Sequence, residues 1–267
     1  MKRKLLFVLF SIIVVYIVLG FINVLEVNEY SIKSSRLPEN FDGFCIVQLS
    51  DLHCKSFGNN QSKLINKILE AEPDVVVLCG DFIDGEHDDI SNVEHLVSGI
   101  VDYCDVFQVN GNHEKDNKDN YEELLFIYEK YGVNDLNDRY YYIERDNQFI
   151  MLSGADYYSD YEMRNGTYIN FEQDCYSIFT YHNAALFDIT STLGYDLVLS
   201  GHTHGGIIRL PFIGGLINNN GSFGAVYDNG LYEKNNTVLI SNRGLGDTEV
   251  PRFYNDSEIV KIILRTE

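Results

Sequence analysis

Five short apolar runs in this chain end abruptly in residues that bind metal ions well. Cys45–Leu49 leads into Asp51-Leu52-His53, and Val75–Cys79 into Gly80-Asp81-Phe82-Ile83-Asp84. Residues 106–109 lead into Gly111-Asn112-His113-Glu114, residues 178–181 into His182, and residues 197–199 into Gly201-His202-Thr203-His204. Asp and His are typical donors for zinc, manganese and iron. Two residues apart at a strand end, Asp51 and His53 are expected to project to one side, and so are His202 and His204. A lone pair of this kind is a weak signal. Asp81, one residue past its run, could bridge two ions with its two oxygens, and Asn112 offers a neutral carbonyl oxygen that adds no further charge.

The elements that must position these residues follow from the same pattern. Buried strands of an α/β sheet read as continuous apolar runs, and ligand sites gather beyond their carboxyl ends. Between the runs, residues 60–71, 90–100 and 120–131 space their apolar side chains as amphipathic helices, and Gly132 is a natural stop for the third. Residues 184–193 form a shorter candidate helix after His182. From 207 to 264 the chain changes to β-rich pieces punctuated by Asn218-Asn219-Asn220-Gly221 and Asp228-Asn229-Gly230, which read as turns between antiparallel strands. The soluble part is therefore expected to be α/β, with two packed sheets and helices outside.

The net charge of -20 excludes a nucleic-acid backbone as the main ligand, because polyanion binding needs clustered Lys and Arg. Cations bound in an acidic protein can still invert the local field and hold a phosphate. Cys45, Cys54, Cys79, Cys104 and Cys175 show no zinc-ribbon spacing and read as small hydrophobes rather than disulfides. Lys2-Arg3-Lys4 precedes an uncharged stretch, residues 5–25. About 20 helical residues span a bilayer core of roughly 30 Å. The stretch exceeds the apolar region of about 7–15 residues found in cleaved signals, and no small-x-small site follows it. We read residues 1–4 as a basic cytoplasmic end and 5–25 as a single-pass signal anchor in the cell membrane, with the rest of the chain outside. Secretion after cleavage is the alternative. Residues 26–42 read as a polar connector and 43–267 as the catalytic domain.

Taken in order, Asp51-x-His53, Gly80-Asp81-x-x-Asp84, Gly111-Asn112-His113-Glu114, His182 and Gly201-His202-x-His204 resemble the full motif set of the calcineurin-like metallophosphoesterases. Residues 201–211 and Ser241-Asn242-Arg243-Gly244-Leu245-Gly246 are similar to the membrane-associated branch that includes YkuE-like phosphoesterases and relatives of the UDP-2,3-diacylglucosamine pyrophosphatases. The resemblance implies a four-layer sandwich of two mixed sheets flanked by helices, behind one N-terminal transmembrane helix. It implies two divalent metal ions (Mn, Fe or Zn), one held by Asp51, His53, Asp81 and His204. The other is held by Asp81, Asn112, His182 and His202. It makes His113 the proton donor to the leaving oxygen and Asp84 the carboxylate that orients it. The implied reaction is hydrolysis of a phosphoester or pyrophosphate by a hydroxide between the ions, on a lipid-linked or cell-envelope substrate such as a UDP-diacylglucosamine-type pyrophosphate, by a monomer. A nucleotide or cyclic-nucleotide phosphodiesterase and a non-catalytic envelope protein are the alternatives. Gly85 stands where the protein Ser/Thr phosphatases of the superfamily carry Arg, which disfavours that subclass.

Weaker candidates lie around these motifs. Arg243 could bind a second phosphate or a head group, since a guanidinium forks well onto phosphate. Arg209 reads better as part of an edge strand. Tyr157, Tyr158 and Tyr161 could stack on a substrate ring or simply line a solvated loop. The cluster Glu86, His87, Asp88 and Asp89 fits no calcium-loop spacing.

Overall fold

The structure, a computed structural model, describes residues 2–168, 171, 174–211, 213–217, 223–224, 226–247 and 251–267. The Asn218–Gly221 turn expected from sequence lies outside these residues. The chain begins with helix α1 (Lys2–Gly20), followed by β1 (Leu25–Ser34), β2 (Cys45–Leu49), α2 (Ser62–Glu70), β3 (Val75–Cys79) and α3 (Ser91–Ile100). Next come β4 (Asp105–Val109), α4 (Lys118–Tyr131), β5 (Asn134–Asp135), β6 (Arg139–Arg145), β7 (Gln148–Gly154) and α5 (Asp160–Arg164). The second half contains β8 (Ser177–Asn183), α6 (Phe187–Thr190), β9 (Leu197–Gly201), β10 (Ile208–Leu210) and β11 (Gly214–Ile217). It closes with β12 (Gly230–Lys234), β13 (Thr237–Ser241) and β14 (Ser257–Thr266).

Two six-stranded sheets form the centre, in the orders β1-β14-β2-β3-β4-β5 and β12-β13-β9-β8-β7-β6. In the first, β2, β3, β4 and β5 run parallel and β14 is antiparallel to β2. In the second, β7, β8, β9 and β13 run parallel, with antiparallel edges at β6 and β12. Successive side chains of a strand face opposite ways, so a strand covered on both faces must be apolar throughout. In β2 and β3, Ile46, Val75, Val77 and Cys79 enter the core between the sheets with Ile178, Leu197, Leu199 and Ile240. Val47, Leu49, Val76 and Leu78 alternate with them and pack under Leu64, Ile68, Leu96 and Leu124 from α2, α3 and α4. A third cluster, with Phe179, Tyr181, Phe187 and Tyr195, covers the outer face of the second sheet. The result is the mixed α/β calcineurin-like sandwich expected from the sequence. The five cysteines are free.

Gly132 ends α4 in the left-handed region at φ 71°, where a glycine carries no steric cost. Two segments differ from the sequence expectation. Residues 184–193 form only a short 3₁₀ turn and the four-residue α6. The stretch 26–42, expected as a connector, is largely an integral strand: β1 pairs with β14 in parallel from Leu25↔Ser257 to Ser34↔Thr266. Its polar alternation reflects an edge position, where one face is wet while Ile32 reaches the core.

Candidate metal centre

Apart from His182, the motif residues sit on turns beyond the strand ends, and both sheets contribute. Asp51 and His53 follow β2, Asp81 follows β3, Asn112 and His113 follow β4, His182 lies in β8, and His202 and His204 follow β9. Their donor atoms gather into two groups, Asp51–His53–His204 and Asp81–His182–His202, each with ligand atoms within 4.8 Å of one another. The two-residue spacing of His202 and His204 suggested a common side, yet the structure sends them to different groups. The reason is local backbone: Asp51, His53, Asp81, His202 and His204 all adopt positive φ, between 47° and 71°. Such conformations cost of order 1–3 kcal/mol each and persist where the surroundings hold them, typically at functional sites.

Asp81 stands between the groups. Its Oδ2 is 3.0 Å from Nε2 of His182 and 3.9 Å from Nε2 of His53, while its Oδ1 accepts the backbone N–H of His113 at 2.8 Å. Asp51 Oδ1 lies 3.3 Å from Nε2 of His204 and 3.9 Å from Nε2 of His182. His182 donates from Nδ1 to the carbonyl of Cys79 at 2.6 Å, which leaves Nε2 as its ligand atom. Two backbone approaches admit no side chain: a Cβ on Gly111 would lie 2.1 Å from Asp81 Oδ1, and one on Gly244, at φ 76°, 2.7 Å from Asp51 Cβ.

The donor set fits cations. Nε2 of His53 and Oδ1 of Asn112 are buried without a hydrogen-bond partner, an expensive state unless something electropositive meets them. Burial depresses the pKa values of His53, His202 (to about 4) and His204, which keeps these rings neutral as metal ligands require. His182 behaves oppositely. Burial disfavours its charge, but the adjoining Asp81 carboxylate outweighs this and lifts its pKa to about 10. A divalent ion would meet the same demand for positive charge.

His113 is half-exposed, and its ring packs edge-on to His53 at 5.1 Å. Burial opposes its charged form, yet Asp81 and Asp116 together raise its pKa. The structure places Asp84 elsewhere than the expected position behind His113. Its carboxylate meets Nδ1 of His87 at 2.9 Å and lies 3.7 Å from Nδ1 of His53. Among the described residues, the carboxylate on Nδ1 of His113 is that of Asp116, at 2.6 Å. Arg243 is likewise committed: it is 8% exposed and paired with Glu26 at 2.8 Å and Glu258 at 3.5 Å. Arg209 pairs with Asp228 at 2.6 Å.

Several supporting residues escaped the sequence reading. Glu114 accepts backbone N–H groups from Asp81 (3.0 Å), Phe82 (2.7 Å) and Gly111 (2.5 Å), clamping two ligand turns together. Its place in the third motif was the available signal. Of the tyrosines the sequence did mark, Tyr157 approaches the rings of His182 and His202 at 5.9 Å each, and Lys115, which it did not, lies over the Tyr158 ring at 4.0 Å. Arg252 and Asn255 support His204 from behind, Asn255 donating to its carbonyl at 2.6 Å. Nothing in their local sequence marks them.

A four-layer α/β sandwich with two clusters of metal donors at the carboxyl ends of its parallel strands defines a metal-dependent phosphoesterase. The chain belongs to the calcineurin-like phosphoesterase family, whose model matches residues 45–206. It is 32% identical to YkuE of Bacillus subtilis, an uncharacterized metallophosphoesterase, over 91% of this chain and 87% of that one. A transmembrane protein with metallophosphoesterase domain from Danio rerio is 26% identical over 90% of this chain, which spans 57% of that protein's length. The metallophosphoesterase Cj0846 of Campylobacter jejuni is 29% identical over 91% of this chain and 65% of its own.

Proposed function

We propose that this phosphoesterase hydrolyses a phosphate ester or anhydride carried by a lipid-linked or cell-envelope molecule, with α1 anchoring it to the cell membrane and the sandwich outside the cytoplasm. The observation that carries the hydrolytic reading is the double cluster of donors, with Asp81 standing between its two halves. Asp51, His53, Asp81 and His204 would hold one divalent ion, and Asp81, Asn112, His182 and His202 the other. When bound, such ions supply positive charge for the phosphoryl oxygens and lower the pKa of water. In the balanced reaction a water oxygen adds to phosphorus and gives up one proton, the bond to the leaving oxygen breaks, and that oxygen takes up one proton. His113 is the donor of this proton, with Asp116 rather than Asp84 holding its imidazole, so that the other ring nitrogen serves the leaving oxygen. Asp84 acts on the metal side, through His53.

The anchor reading rests on α1, a 19-residue helix with mean hydropathy 2.2 whose side chains are almost wholly exposed. A panel of phosphate monoesters, diesters and pyrophosphates, run after chelation and again with each metal restored, tests the function. Activity is expected only with metal, and highest on an amphiphilic substrate. Full turnover after complete chelation would refute it.

A further inference from the structure

The end of α1 is fastened to the segment that supports His204. The carbonyl of Gly20 accepts the backbone N–H of Tyr254 at 2.7 Å, and the Tyr254 hydroxyl donates to the carbonyl of Tyr16 at 2.7 Å. The Phe253 ring lies against Gly20, leaving no room for a Cβ there, and packs edge-on to Phe21 at 5.0 Å. Just past the helix, the Val24 N–H donates to Asp256 at 2.7 Å and the Ser257 N–H to Asn23 at 3.0 Å. Within this tied segment, Asn255 donates to the carbonyls of His204 and Gly206, and Arg252 to those of Arg243 and Gly246. Few bonds separate the helix from a metal ligand.

The sheet register leads to the same place. β14 runs antiparallel to β2 and parallel to β1, so β1 and β14 start where β2 ends. The exit of α1 and the ligand-bearing turns therefore share one end of the sandwich. At about 1.5 Å per residue, 19 residues span about 28 Å, close to the roughly 30 Å hydrocarbon core. Gly20 then lies where the apolar layer ends. From its backbone bond at Gly20, the Tyr254 side chain reaches back to Tyr16 over about 6 Å, one helical turn, and so lies along the boundary and just below it. That is the level at which membrane proteins concentrate aromatic side chains with one polar end.

Building on the anchor reading above, we propose that Phe253 and Tyr254 form an aromatic clasp seated where the headgroups meet the top of the acyl chains. The clasp holds the mouth of the metal centre at the lipid surface, so the phosphate it meets is one carried by a membrane lipid. With a net charge of -20, attraction to anionic lipid does not drive this seating; apolar and aromatic burial does.

The chain has no tryptophan, so one substitution creates a unique reporter. Phe253→Trp and, separately, Tyr254→Trp are prepared in the full chain and reconstituted into phosphatidylcholine vesicles, some containing lipid brominated near the top of its acyl chains. Tyr103→Trp is the control: Tyr103 is exposed and precedes β4, at the sheet end away from the ligands. We expect blue-shifted emission and loss of most intensity on brominated vesicles for the clasp positions, with no loss for the control. Water-like, unquenched emission at both clasp positions in protein that resists alkaline extraction overturns the clasp and leaves the anchor standing. Release of the protein by alkaline extraction overturns both.

Discussion

Removing the carboxylate of Glu114 should unfasten the metal centre from below, because this side chain carries the hydrogen bonds of two ligand turns. It is 2% exposed, and its oxygens accept three backbone N–H groups, Oε1 from Phe82 and Oε2 from both Asp81 and Gly111. A buried donor left without a partner costs about 1–3 kcal/mol. For three donors Glu114→Ala therefore approaches about 3–9 kcal/mol, the lower end applying if water enters the vacated space. Against a total domain stability of about 5–15 kcal/mol, that is enough to unfold much of the population. Glu114→Gln is milder by a countable amount. With its single carbonyl oxygen turned to Asp81 and Gly111, its amide NH₂ faces the Phe82 N–H, so one bond is lost, at about 1–3 kcal/mol. Urea unfolding of the full chain in detergent, followed by circular dichroism, measures both. The expected order is wild type, Gln, then Ala, with metal affinity falling in parallel. An Ala variant within about 1 kcal/mol of wild type would show that the clamp carries none of the stability assigned to it.

Two further substitutions separate the roles around Asp81 and His113. Asp81→Asn should nearly abolish turnover together with metal content, whereas His113→Ala should keep its metal and lose about 10²–10⁴-fold in turnover, the usual worth of positioned acid catalysis. Elemental analysis beside the kinetics decides this, and equal metal loss in both variants would contradict the division. Asp116→Asn removes a half-exposed charge-assisted contact to His113 worth about 1 kcal/mol, so kcat should fall about 5-fold at unchanged metal content. If Asp84→Asn produced that signature instead, Asp84 rather than Asp116 would be the orienting group.

What the sequence revealed and what it hid divide along one physical line. Strands covered on both faces must be apolar throughout, so β2 and β3 were readable to the residue, and the candidate donor side chains just beyond them came with the strand ends. The partners of those ligands were not readable, because contacts across the molecule leave no local pattern. Asn255 meets His204 from 51 residues away, and Glu26 meets Arg243 from 217 residues away. The second contact also explains why Arg243 resembled a free phosphate fork, since its counter-charges lie on β1 and β14. β1 itself escaped notice because an edge strand needs only one apolar face, and its alternation resembles a polar connector.

The same long-range pairing gives the centre its architecture. Asp51, His53, Asp81 and Asn112 come from the first sheet, while His182, His202 and His204 come from the second, so each proposed ion would be held by both. Neither sheet carries a complete donor set. Asp81, at 3.0 Å from His182, is already the tightest contact between ligands across that seam, and ions held there would tie the layers together as well as serve the chemistry. Through Arg252 and Asn255 the seam continues to β14 and to the end of α1. Movement of the helix end is therefore expected to reach His204 before any other candidate ligand, which makes the Asp51–His53–His204 group the more sensitive of the two to loss of the proposed seating at the lipid surface.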